Sequence, residues 1–201
     1  MDDGLTPSQR ANAALVAVER RFEQIMTALT RANVPFAIVG NQATSLWIAT
    51  IDEGATRNAR DTEVLVNDSD FETASQCAIA IGLVPLSNVS IPCFVDKERP
   101  SSRNVVRLFV ANRKVVNDDA LPAPELTDIE RLGKEIPVLP LELHITWQLV
   151  RFRLDDRVDL IDMMGVGLVR TSLCDELPPL LAARLCEMFD AFAKEREGFR
   201  Y

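Results

Sequence analysis

The run Phe36-Ala-Ile-Val-Gly40 constrains this chain more than any other segment. Four apolar residues are too few for a buried helix and read as a buried strand, which the glycine ends. A helical pattern resumes at once over 41–50, with Ala43, Leu46 and Trp47 on one face. A strand that feeds a helix without a linker belongs inside a sheet covered by helices. Such a turn also aims backbone N–H groups and the positive helix end at an anion, and glycine allows close approach. By itself the glycine also fits an ordinary turn.

The next strand, Asp61-Thr-Glu-Val-Leu-Val66, follows a polar loop over 52–60 that holds Gly54, Arg57 and Arg60. Asp61 and Glu63 are two apart on a strand, so both carboxylates face the same way. Two acids beside a phosphate-binding turn are what two-metal phosphoryl transfer needs: Mg²⁺ takes oxygen ligands and bridges substrate phosphates. Arg57 and Arg60 would then neutralise phosphate charge. The same spacing also fits a solvated strand face on which the two acids pair with those arginines.

The rest of the chain frames this centre. Residues 7–32 predict a helix, with Thr6-Pro7 as its start and Pro35 beyond its end. Asp68-Ser-Asp70 opens a further helix to about Gly82. The middle is β-rich, with strands expected at 93–95, 105–111 and 136–139, and 114–116 pairing across Asn112-Arg113 as a hairpin. From Leu141 the pattern is helical, over 141–153, 156–168 and 178–194, leaving 195–201 as a loose tail. The order predicts an α+β fold: a mixed sheet with helices on one face, an N-terminal helix and a helical C-terminal subdomain. The expected division is a core over residues 1–140 and the subdomain over 141–201.

Composition excludes several classes. Lys plus Arg is 22 against 30 for Asp plus Glu, a net charge of -8, which argues against general nucleic-acid binding and against an anionic membrane surface. No apolar run approaches a membrane span, and the Met-Asp-Asp-Gly start lacks a secretory pattern, so a cytoplasmic protein is expected. Cys77, Cys93, Cys174 and Cys186 show no CxxC spacing. With His144 as the single histidine they make no zinc set, and they read as reduced thiols. Asp155, Asp159 and Asp162 share one helix face, with Arg151, Arg153 and Arg157 available as ion-pair partners. Trp47 and Trp147 read as core. Leu180, Leu181, Leu185, Met188, Phe189 and Phe192 form a packing face that could also serve self-association.

Val39-Gly40-Asn41-Gln42-Ala43, followed by Arg57-Asn-Ala-Arg60-Asp61-Thr62-Glu63-Val64-Leu65, resembles the nucleotidyltransferase fold of the DNA polymerase beta superfamily. The likeness is to the small bacterial branch that includes abortive-infection toxin-type nucleotidyltransferases. That branch shows a Gly-Gly or Gly-Ser turn and then Arg-x-Thr-x-Asp-x-Asp. Val105-Val-Arg-Leu-Phe109, Leu121-Pro-Ala-Pro124 and Arg153-Leu-Asp-Asp156-Arg157-Val-Asp-Leu-Ile-Asp162 extend the likeness over most of residues 33–170. It implies Asp61 and Glu63 as catalytic metal ligands, with Gly40, Asn41, Arg57 and Arg60 binding an NTP.

The departures fall on the chemistry. Asn41 replaces the second small residue of the turn, and Glu63 replaces an aspartate. The strand expected to bring a third carboxylate holds Arg107 instead, and Gln148 stands where related sequences often carry lysine. Arg107 is therefore expected either to stand in for a metal between Asp61 and Glu63 or to be an edge-strand surface charge. Three functions follow. The first is an eroded two-metal site that still binds a nucleotide or anion, a pseudoenzyme. The second is active Mg²⁺-dependent transfer of NMP from an NTP to a protein, RNA or small-molecule hydroxyl, with Asp96 as a third ligand. The third is a non-catalytic module for a protein partner or a homodimer.

Overall fold

The computed structural model describes residues 6–98, 100, 104–116, 119 and 121–198. Helix α1 (Pro7–Arg31) begins where expected. The Thr6 hydroxyl oxygen accepts a hydrogen bond from the Gln9 N–H at 3.2 Å, and Gln9 Oε1 accepts one from the Thr6 N–H at 2.8 Å. This reciprocal cap satisfies two donors that a helix start otherwise leaves unpaired. Strand β1 (Phe36–Val39) then passes directly into α2 (Gly40–Ala49). Strand β2 (Thr62–Val66) is followed by a short 3-10 turn and α3 (Phe71–Ala80). Strands β3 (Leu83–Pro85), β4 (Cys93–Asp96), β5 (Val106–Val110), β6 (Glu130–Leu132) and β7 (Ile136–Val138) complete the sheet. Helices α4 (Leu141–Arg151), α5 (Leu154–Gly165) and α6 (Pro179–Gly198) close the chain.

The seven strands lie in the order β3-β4-β5-β2-β1-β7-β6. Strand β2 runs antiparallel to β1 and parallel to β5, and β1 runs parallel to β7. This is the mixed α+β sheet expected from the sequence. Alternation along β1 shows how both faces are used. Phe36 and Ile38 pack with Ile25 and Leu29 of α1 and with Ala74 and Ala78 of α3. Ala37 and Val39 pack into a second cluster with Trp147, Leu160 and Leu185 of α4, α5 and α6. The first face thus carries α1 and α3, and the C-terminal helices cover the other.

Several local expectations change. Residues 114–116 form no strand: the N–H groups of Val115 and Val116 donate to Asp119 at 3.1 and 3.0 Å, so a carboxylate replaces the ladder. Strands β3 and β6 were not expected, because a three-residue strand has too few positions for a periodic signal. Strands β6 and β7 form a hairpin around Gly133, whose φ of 55° supplies the reversal. Helix α6 continues through 195–198, expected as tail; residues 199–201 lie outside the described part. Trp47 and Trp147 are both buried core. The apolar face of α6 lies inside the second cluster, where Leu181, Leu185 and Met188 are buried; Leu180 alone among these is largely exposed. No described helix is long and apolar enough to cross a membrane.

Leu65 is fully buried at the middle of β2, between β1 and β5. Leu65→Ala should lower stability by about 2–5 kcal/mol. Urea denaturation should show this as a lower midpoint with an unchanged slope.

Candidate active site

The sheet register assembles the centre. Glu63 on β2 lies opposite Val39 on β1 and opposite Arg107 on β5. Thr62, Val64 and Val66 alternate with it, and both valines point into the α1/α3 cluster. Asp61, one residue before β2, shares the Glu63 side. Arg107 Nη1 contacts Asp61 Oδ2 and lies 3.6 Å from Glu63 Oε1. Of the two expectations for Arg107, this is the one in which its guanidinium sits between the two acids.

A second cation enters from the helical layer. Arg151, the last residue of α4, is almost fully buried. Its Nη1 donates to Glu63 Oε2 at 2.6 Å and its Nη2 to Glu63 Oε1 at 3.3 Å, a two-pronged pair. Nη2 also lies 3.0 Å from Asp156 Oδ1. The guanidinium carbon stands 5.1 Å from the Phe109 ring centre and 5.5 Å from that of Trp147. Those rings meet edge-on at 5.7 Å and offer the cation their negative faces. Burial alone would lower the Arg151 pKa, but Glu63 and Asp156 outweigh it, so the group is held charged. The other oxygen of Asp156, Oδ2, accepts the Arg153 N–H at 2.9 Å, capping α5.

The glycine turn packs against the Glu63 carboxylate. Gly40 has φ +67°, and a Cβ there would lie 2.1 Å from Glu63 Oε2. Glycine is needed because the Glu63 carboxylate rests over this turn. Asn41 is likewise turned to the protein: its Nδ2 donates to Asp159 Oδ1 at 2.8 Å. The same oxygen accepts Arg57 Nη2 at 2.9 Å, while Asp159 Oδ2 accepts Gln148 Nε2 at 3.1 Å. Arg57 also pairs with Asp162. Gln148 reaches Thr44 Oγ1 at 3.2 Å, and Thr44 Oγ1 lies 3.0 Å from His144 Nε2. Burial pushes the His144 pKa down to about 3, so this ring is neutral.

Burial raises the Asp61 pKa, against the smaller lowering effect of the Arg107 charge and hydrogen bond. Asp156 is pushed up to about 6 by burial against the opposing charge of Arg151. Asp159 is pushed up to about 6 by burial, opposed by its bonds to Asn41 and Arg57.

These groups line a cleft of about 330 Å³ between the sheet and the α4–α5 layer. Gly40, Asn41, Arg57, Arg60, Asp61, Glu63 and Arg107, the residues singled out in the sequence, all border it. Arg151, Arg153, Asp155, Asp156 and Asp159 join them. Arg60 and Arg153 have no ion-pair partner among the described residues. Asp96 is not a lining residue: it pairs with Arg21 of α1 at 2.6 Å, because α1 packs beside that end of β4. It therefore does not act as a third ligand here. Among the described residues, no three His, Cys, Asp or Glu side chains are grouped so as to hold a metal ion. On the acid helix face, Asp159 and Asp162 pair with Arg57 rather than with the arginines expected; Arg151 pairs with Asp156, and Arg157 turns to Glu187 of α6, at 3.3 Å. The place of Arg151 in the centre was not read from the sequence, although a cation ending the apolar run Trp147-Gln-Leu-Val-Arg151 was its signal.

No family model and no curated protein matches the chain. Among solved structures it is similar to the solution structure of the antibiotic-resistance factor ANT(2'')-Ia. Identity is 12%, the TM-score is 0.50, and the match covers 89% of this chain and 95% of that one. The crystal structure of ANT(2'')-Ia in complex with adenylyl-2''-tobramycin matches at 13% identity and a TM-score of 0.44, over 87% and 95% of the two chains. At 12% identity the likeness to the solution structure concerns the fold alone.

Arg151→Met would leave Glu63 and Asp156 buried without their cation. It should cost about 3–5 kcal/mol at pH 7.5, part of which returns on adding Glu63→Gln; paired denaturation curves measure both. The carboxylates predict a pH effect of definite sign. A folded pKa near 6, above the ordinary 3.8, gives stability that is full below about pH 4 and lost as pH rises through 6. Asp159→Asn removes that dependence. Relative to the parent chain, it should therefore be less destabilised at pH 7.5 than at pH 4.5 in matched urea titrations.

Proposed function

We propose that this chain is a nucleotidyltransferase-fold protein that binds a nucleotide through its phosphates in a cleft no longer built for two-metal catalysis. The observation that carries the reading is the Arg107 guanidinium, in contact with Asp61 and 3.6 Å from Glu63. A metal bridging these acids would occupy the same space and meet a fixed positive charge. Both oxygens of Glu63 are already engaged by Arg151, and among the described residues no third carboxylate joins the pair to make a metal-binding group. The donor set therefore does not fit Mg²⁺. The reading of Asp61 and Glu63 as catalytic metal ligands gives way to one in which they anchor two arginines.

Anion binding is supported by what remains. Arg60 and Arg153 border the cleft with guanidinium groups suited to forked hydrogen bonds with phosphate oxygens. The first residues of α2 and α5 border it as well, adding the positive ends of two helices. Arg57, Arg107 and Arg151 are neutralised by carboxylates, so charge for a ligand comes chiefly from Arg60 and Arg153.

Calorimetric titration with each of the four NTPs, with and without Mg²⁺ or Mn²⁺, tests the reading. The expected result is binding that needs no metal and weakens tenfold or more in Arg60→Ala/Arg153→Ala, since each charge-assisted bond contributes about 1.5–3 kcal/mol. Metal-dependent binding that disappears in a folded Asp61→Ala variant would restore the active NMP-transferring enzyme. Absence of binding in every condition would overturn the nucleotide reading and direct the search to a protein partner.

A further inference from the structure

Two cysteines that the sequence leaves unrelated meet in the fold. Cys174 lies in a 3-10 segment, Thr171–Asp175, and Cys186 lies on α6. Their sulfur atoms are 3.5 Å apart and both are free thiols. Cys186 is exposed and Cys174 half-buried. The other two thiols are placed differently: Cys77 donates to the Ala28 carbonyl at 3.7 Å, and Cys93 is buried in β4. We propose that Cys174 and Cys186 form a redox-active dithiol, a modification site at which a low-molecular-weight disulfide converts the pair into an intramolecular disulfide.

The geometry suits the bond. A disulfide holds its sulfurs about 2.0 Å apart, so the pair must close by roughly 1.5 Å. Rotation of two side chains supplies a movement of that size. The order of events follows from exposure. The Cys186 thiolate attacks one sulfur of the small disulfide RSSR, forms a mixed disulfide and releases RS⁻. The Cys174 thiolate then attacks the Cys186 sulfur and releases the second RS⁻. In sum, two protein thiols lose two protons and two electrons, and RSSR becomes two RSH. Burial, followed by the adjoining Cys186, pushes the Cys174 pKa up to about 11, which leaves the first attack to the exposed Cys186.

The bond would fasten the 3-10 segment to α6 across Pro178-Pro179. Helix α6 carries Arg184, whose Nη1 donates to the carbonyls of Leu149 and Val150 at 2.7 and 2.9 Å. These carbonyls precede Arg151, so oxidation would stiffen the support beneath the cleft's buried cation.

The test is incubation of the full chain with oxidised glutathione, followed by intact mass under non-reducing conditions and thiol titration. The expected product is about two mass units lighter than the reduced chain, with two of its four thiols lost. Its melting temperature should rise by roughly 5 °C, as expected for closing a short loop, and return with dithiothreitol. Cys77→Ser/Cys93→Ser should behave as the parent, while Cys174→Ser should stop at a single glutathione adduct. A stable adduct on the parent chain, a covalent dimer, or four thiols that all persist would each overturn the proposal.

Discussion

The structure depends on one buried cation. Arg151 sits at the end of α4 with its guanidinium between Phe109 and Trp147 and its hydrogen bonds directed to Glu63 and Asp156. It ties the start of α5, through Asp156, to two neighbouring strands of the sheet, β2 through Glu63 and β5 through Phe109. An isolated charge in such a place would be costly, and so would either carboxylate without it. The three groups are tolerable only together. The helical layer is therefore fixed on the sheet by charge as well as by the apolar cluster around it.

A second polar chain runs beside this hub. Asn41, Arg57 and Gln148 all converge on Asp159, and Thr44 extends the contact to His144. It holds the start of α2, the loop before β2, α4 and α5 in one arrangement. Buried polar networks of this kind favour a single packing when their members are bonded. Both networks border the same cleft, so the rigidity of its walls and the chemistry of its interior come from the same residues.

The sequence made the fold legible where apolar runs were long or ended in strong signals. The Phe36–Gly40 strand, the Thr6-Pro7 start and the Asp61–Val66 strand carry enough periodicity or capping chemistry to be read locally. The short strands at 83–85 and 130–132 do not, because their pairing is decided by neighbours distant in the chain. The loop at 114–116 looked like half a hairpin because two valines favour strands, yet a carboxylate at Asp119 captured their N–H groups. At the site, alternation placed Asp61 and Glu63 on one side, and Arg107 became a candidate for their company as the charged residue in the strand where the resemblance implies a third carboxylate. Arg151 and Asp156 could not be read in this way. The pairing of Arg151 with Glu63 spans 88 residues and depends on how α4 is placed against the sheet.

The contact between Gly40 and Glu63 links the turn to the whole of the buried centre. A Cβ at Gly40 would collide with Glu63 Oε2, and Glu63 is held there by Arg151, which Asp156 and two aromatic rings hold in turn. No member of this set can be replaced alone without stranding a buried charge or creating a clash, so the glycine turn, the strand carboxylate and the helix-end cation stand or fall as one unit.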